Sequence, residues 1–113
     1  MHEYSIVQSL LDSCEDYAKK NSASKVTKVV VKIGVLSGVE VDLLKTAFDT
    51  FKLDTVCKKA EFIANIQKVE ILCLDCNSLS TLEKNEFSCP NCQSTNIDVK
   101  DGEDMYLMSL ELE

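Results

Sequence analysis

In 113 residues, 45% of them hydrophobic and 27% charged, there is room for one cored domain, or for one domain carrying a small metal-stapled module. A net charge of −7, with twelve lysines and no arginine, removes both the basic face and the bidentate forks on which nucleic-acid recognition rests. No apolar run approaches a membrane span and the first residues lack the basic-then-apolar order of a signal peptide, so a cytoplasmic protein with no membrane and no nucleic-acid partner is expected.

Residues 3–20 predict a helix. Val7, Leu10, Leu11, Cys14 and Ala18 recur at helical spacing, while Asp12, Glu15, Asp16 and Lys19 fill the other face. Asn21 and Ser22 stop it. Residues 26–35 read as a strand, with Val29, Val31, Ile33 and Val35 on one face and Lys28 and Lys32 on the other. Gly34 and Gly38 bracket a turn, and residues 40–53 give a second helix with Leu44, Ala47, Phe48 and Phe51 as its core stripe. Ser37 and Glu40 stand at capping-box spacing at its head, with Asp42 a competing N-cap.

Residues 61–73 predict a strand with a defect. Phe62, Ala64 and Ile66 share one parity; Val69, Ile71 and Cys73 share the other. Such a switch needs a bulge or a change of sheet, and it marks the point where the chain leaves its main sheet for a cysteine module. In a half-buried last strand Tyr106, Met108, Leu110 and Leu112 alternate with Ser109, Glu111 and Glu113. The five acidic side chains from Asp101 onward, unaccompanied by a basic one, read as a solvated edge.

Six cysteines in a cytoplasmic chain point to metal before disulfides. Four form two C-x-x-C pairs, Cys73–Cys76 and Cys89–Cys92, with twelve residues between them. Two residues between cysteines let one tight turn aim both sulfurs at one point, and two such turns complete a tetrahedron. A zinc ribbon is expected, closed by four protein ligands and therefore structural; rubredoxin-like iron takes the same four sulfurs, and a pair of redox disulfides is a further alternative. Asn77 after the first pair suits the left-handed turn of such knuckles, whereas Gln93 after the second fits less comfortably. Cys14 lies on the apolar helix stripe and reads as core. Cys57, beside Lys58 and Lys59, has no base in sequence reach and reads as a bystander. A P-loop, a G-x-S-x-G elbow and a glycine-rich phosphate cradle are all absent, so no enzyme is expected.

The only histidine is His2. At that position the Met1 α-amine and the deprotonated His2 amide close a five-membered chelate ring, and the same amide with the imidazole Nδ1 closes a six-membered one. Coplanar nitrogen donors suit Ni(II) or Cu(II). The initiator methionine is expected to stay, because its removal generally requires a small second residue. A helix that starts almost at the terminus would hold these donors against a core.

The opening Met1-His2-Glu3-Tyr4-Ser5, the stretch from Lys32-Ile33-Gly34 through Ser37-Gly38-Val39-Glu40, the Ala47-Phe48 helix and the four paired cysteines occur together. In this the chain resembles, over its whole length, the HypA/HybF family of hydrogenase maturation factors, which are nickel metallochaperones. The resemblance implies an α+β fold: two helices packed on a three-stranded antiparallel sheet, with a small zinc-ribbon module inserted before the last strand. The expected division is a nickel domain of residues 1–68 and 101–113 and a zinc ribbon of residues 69–100. It implies Ni(II), as transient cargo, held by the Met1 amine, the His2 imidazole and the backbone amides of His2 and Glu3. The Glu3 and Glu40 side chains would sit nearby and tune the site or a partner contact, although a carboxylate at Glu40 also favours the head of a helix. Zn(II) would be structural at Cys73, Cys76, Cys89 and Cys92. The implied partners are a HypB-type maturation GTPase and the [NiFe]-hydrogenase large subunit. The first helix is the natural docking element, through Glu3, Asp12, Glu15 and Asp16. The rival readings are a zinc-ribbon protein–protein adaptor in which His2 is incidental, and a rubredoxin-like electron carrier.

Overall fold

The computed structural model describes residues 2–83 and 86–113, with His2 described by its backbone alone. Its elements run α1 (His2–Lys20), β1 (Val26–Gly34), α2 (Val41–Phe51), β2 (Glu61–Gln67), β3 (Val69–Cys73), β4 (Leu79–Leu82), β5 (Ile97–Asp101) and β6 (Met105–Leu112). They form two three-stranded sheets, in the orders β2-β1-β6 and β4-β3-β5. The fold is therefore α+β. Among the described residues no helix is long and apolar enough to cross a membrane.

The chain divides into two compact units. Met1–Lys32, Val39–Asn65 and Tyr106–Glu113 make the first; Ile33–Gly38 and Ile66–Met105 make the second. In the first, α1 buries the stripe Val7, Leu10, Leu11, Cys14 and Ala18, and packs against α2. Leu44 and Phe48 of α2 are wholly buried, each worth about 2 kcal/mol of removed apolar surface. Phe48 stacks on Phe62 of β2 with ring centroids 4.7 Å apart. Phe51, expected in the core stripe, lies at its margin and meets Tyr4 of α1 edge-on at 4.5 Å. Lys25 and Glu113 exchange backbone hydrogen bonds of 3.3 and 2.9 Å, so β6 runs antiparallel to β1.

In β6 the expected alternation holds for only half the strand. Leu110 and Leu112 are half-buried, but Tyr106 and Met108 are exposed and Leu107 takes the inner side. Two successive exposed residues, Met108 and Ser109, shift the side-chain phase by one.

The defect expected in residues 61–73 is a change of sheet. β2 ends at Gln67, Lys68 is unpaired to either strand, and β3 begins at Val69 in the other sheet. Each parity then serves its own core, Phe62 in the first unit and Val69, Ile71 and Cys73 in the second. Around β3, antiparallel β4 and β5 close a small core of Val69, Ile71 and Leu82, flanked by Ile97 and Val99.

Three backbone hydrogen bonds bring residues 33–38 into the second unit. Gly34 N–H reaches Asp104 at 3.0 Å, Val35 N–H reaches Gln67 at 3.0 Å and Leu36 N–H reaches Gly102 at 2.8 Å. Gly34 and Gly102 approach so closely that a Cβ on Gly34 would overlap the Gly102 carbonyl group, and Gly102 itself takes φ +100°.

Candidate metal centre

Each cysteine pair folds into the same turn. The first cysteine donates its N–H five residues ahead, Cys73 to Ser78 at 2.9 Å and Cys89 to Ser94 at 2.8 Å. Its carbonyl accepts from the residue four ahead, Asn77 at 2.9 Å and Gln93 at 2.7 Å. Both of those residues sit at positive φ, 59° and 66°. Gln93 therefore adopts the left-handed turn that its side chain does not favour, because closing the knuckle demands it.

The two knuckles face each other. All four Sγ atoms lie within 4.8 Å of one another, with Cys73–Cys92 at 3.5 Å and Cys76–Cys89 at 3.7 Å. A tetrahedron with metal–sulfur bonds of about 2.3 Å has edges of about 3.8 Å, so the sulfur cage fits a four-coordinate soft cation. Cys73 and Cys89 are buried, whereas Cys92 is exposed.

Protons and thiolates tell the same story. The Ser78 hydroxyl, 3.0 Å from the Cys76 sulfur, together with the Ser78 amide and Asn91, holds Cys76 down at about 6. Cys89 is also lowered, by the Cys92 amide first and by Ser78. Cys92 is favoured as a thiolate by the Ser94 amide, yet the Cys73, Cys76 and Cys89 sulfurs and desolvation push it up to about 12. Four clustered sulfurs cannot all ionise unless a cation sits among them. Asp75 of the first knuckle accepts hydrogen bonds from the Ser94 hydroxyl and, at 3.1 Å, from Asn96 Nδ2, tying it to the second.

At the other candidate site α1 begins at His2 and α2 at Val41, with Glu40 as the N-cap residue at φ −88° and ψ 114°. The Glu40 side chain makes no capping hydrogen bond. Instead its N–H donates to Glu3 Oε2 at 3.1 Å. Glu3 is 7% exposed and Glu40 is exposed, so the first turn of α1 and the head of α2 meet at a buried carboxylate. The Met1 amine and the His2 imidazole lie outside the described residues.

The HypA family model, described as hydrogenase/urease nickel incorporation metallochaperone, matches residues 1–112. The chain belongs to this family. It is 58% identical over 113 residues to the hydrogenase maturation factor HypA of Aquifex aeolicus, covering 100% of this chain and 98% of that one. Against HypA of Shewanella baltica strain OS185 the identity is 56%, covering 100% and 97%. The solution structure of the Ni metallochaperone HypA from Helicobacter pylori matches with a TM-score of 0.71 at 40% identity, over 97% of this chain and 96% of that chain. Neither the adaptor nor the electron-carrier reading is favoured beside these matches, and a HypA-family chain is a nickel metallochaperone of hydrogenase maturation.

Within this HypA-family fold some residues are placed differently from their sequence expectation. The N-cap residue of α2 is Glu40, not Ser37, and the acceptor for its N–H comes from Glu3, which no local motif signals. Glu15, expected on the outer face, accepts the Val56 N–H at 3.1 Å, and beside it Cys14 hydrogen-bonds Cys57, which pushes Cys14 up and Cys57 down. Both thiols are fully buried, so Cys57 is core, alongside Cys14. Of the four acidic groups expected for docking on α1, Asp12 and Asp16 stand exposed.

Proposed function

We propose that this protein carries Ni(II) at the start of α1 and holds Zn(II) as a structural ion in its cysteine cage. The observation that supports the nickel reading best is the helix start at His2. The first N–H groups of an α-helix have no intrahelical acceptor, so the His2 and Glu3 amides are not consumed by the helical ladder and can be deprotonated as donors. With the Met1 amine and the His2 imidazole they make the planar nitrogen set that Ni(II) prefers. The exposed Glu40 carboxylate, at the junction where Glu3 meets α2, would tune that site. For zinc, the 3.5 and 3.7 Å sulfur–sulfur distances lie close to a tetrahedral edge and four cysteines would leave no open ligand position, so the ion would hold the knuckles together without exchanging ligands.

Delivery goes to the [NiFe]-hydrogenase large subunit in the cytoplasm with a HypB-type GTPase, because the chain has no phosphate-binding loop of its own with which to drive release. The exposed flank of α1, with Asp12 and Asp16, is the surface that this partner would use.

Metal analysis of untagged protein tests the assignment. One zinc should persist through gel filtration, and one nickel should be gained on addition. The zinc protein should be colourless, where an iron tetrathiolate would absorb in the visible. One extra residue ahead of Met1 converts the amine to an amide, and it should abolish nickel uptake as completely as His2→Ala. Unchanged affinity in the extended protein would remove Met1 from the site.

A further inference from the structure

We propose that Asp75, gripped by Ser94 and Asn96, is a positioning residue that latches the two cysteine knuckles together and so sets how slowly the metal leaves the cage. The inference rests on the zinc assignment proposed above. The knuckles are built on one plan: Cys73 N–H meets the Ser78 carbonyl as Cys89 N–H meets the Ser94 carbonyl. By that plan Asp75 corresponds to Asn91, and Ser78 to Ser94. Their side chains nevertheless take different work. The Ser78 hydroxyl lies 3.0 Å from the Cys76 sulfur and 3.6 Å from that of Cys89, and Asn91 Nδ2 reaches Cys76 at 3.7 Å. A carboxylate has no proton to offer a thiolate, and Asp75 accepts instead from Ser94 and Asn96.

Both Asp75 oxygens are engaged across the gap. Oδ2 accepts the Ser94 hydroxyl proton, and Oδ1 accepts from Asn96 Nδ2 at 3.1 Å. Ser94 Oγ in turn accepts the Asn96 N–H at 3.0 Å, which directs its own proton to Asp75. Leu74 N–H donates to the Asn96 carbonyl at 2.9 Å, so the backbone beside Asp75 is joined to the same turn. None of these bonds uses a sulfur, and they do not depend on whether the thiolates are coordinated. A tetrathiolate ion departs in steps, and the first pair of sulfurs to let go can rebind only while its knuckle stays close. The latch keeps that local concentration of sulfur high. It slows dissociation without adding a ligand, in the way that hydrogen bonds around a metal's ligands commonly raise its retention.

The experiment times zinc transfer from the full chain to an excess of a chromogenic chelator. Asp75→Ala removes both acceptors and should speed zinc loss by about tenfold, the scale of one charge-assisted hydrogen bond. Ser94→Ala should speed it less. The double variant of Asp75→Ala and Ser94→Ala should lose zinc no faster than Asp75→Ala alone, because the two residues share one bridge. Asp75→Asn can still accept from Asn96 and can donate to Ser94 Oγ, so its rate should stay within about threefold of the parent. Cobalt-substituted proteins should keep the same thiolate-to-cobalt absorption throughout, since all four sulfurs remain in place. Three results overturn the proposal: zinc loss from Asp75→Ala no faster than from the parent, a double variant whose acceleration is the product of the two single ones, or Asp75→Asn losing zinc as fast as Asp75→Ala. So does a changed cobalt spectrum in Asp75→Ala, which would make Asp75 a determinant of ligand geometry. Failure of the zinc assignment reads out separately, as purified protein holding iron or no metal, and the same rates are then followed with added cobalt.

Discussion

Asn77 and Gln93 hold the same left-handed turn, φ 59° and 66°, and each donates its N–H to the first cysteine of its own pair. Asparagine tolerates that region through its short polar side chain, but a glutamine pays a conformational cost of about 1–2 kcal/mol. Gln93→Gly removes the cost and adds chain entropy to the unfolded state, so a net stabilisation of about 0.5–1 kcal/mol is expected. Thermal melting of the zinc-loaded protein and zinc competition with a chelator should both shift toward tighter binding. A lower midpoint would mean that the Gln93 side chain contributes something that the turn geometry does not reveal.

Gly34→Ala should be among the most damaging single changes in the second unit. The added methyl meets the backbone of Gly102, which cannot rotate aside as a side chain would. Overpacking of this kind costs about 3 kcal/mol. Denaturant unfolding measures it, and Gly38→Ala is the control: a Cβ at Gly38 meets nothing within 4 Å, although φ +76° still disfavours it. A Gly34→Ala protein as stable as that control would contradict the close approach.

Nickel affinity should rise with pH. Binding strips protons from the terminal amine, the imidazole and at least one amide, so uptake releases protons and acidification reverses it. With a free imidazole pKa of roughly 6.5, weakening should steepen as pH falls through that value. Calorimetric titrations in buffers of differing ionisation enthalpy count the protons released. A flat affinity across mildly acidic to mildly alkaline pH would point to carboxylates or thiolates.

Cys89→Ala should release zinc and disorder the second unit, since metal-binding energy is folding energy in so small a core. The first unit has its own helices and buried stripe, so part of the nickel binding should remain. Mass spectrometry under native conditions reads both metals in one experiment. Complete loss of nickel from a variant whose first unit stays folded would place the cargo at the sulfurs.

Periodicity made α1, β1 and α2 legible to within a residue or two at most ends, because each buries a continuous apolar stripe. The parity switch between Ile66 and Val69 also carried through to three dimensions, since a period-2 pattern cannot change phase without changing what it faces. The cysteine cage was legible for a simpler reason: a C-x-x-C pair specifies its own turn. What escaped was whatever depends on a distant partner. β4 and β5 are short, and they become strands by pairing with β3. Tyr106 and Met108 look like core in a strand that shifts phase at Met108–Ser109. Glu3 and Glu15 look like surface acids on an amphipathic helix, until the amides of Glu40 and Val56 are brought to them from across the unit.

The ribbon, for all its compactness, is not a contiguous segment. Residues 33–38 belong to it, hydrogen-bonded at Gln67, Gly102 and Asp104. Excised as a peptide of residues 66–105, it would keep all four cysteines and still lack the backbone partners that close its open end. A graft of the zinc site into another protein therefore has to bring a host strand that ends in a glycine opposite Gly102. Modularity in this chain resides in the hydrogen-bonded unit, and a cut made by sequence position alone would miss part of it.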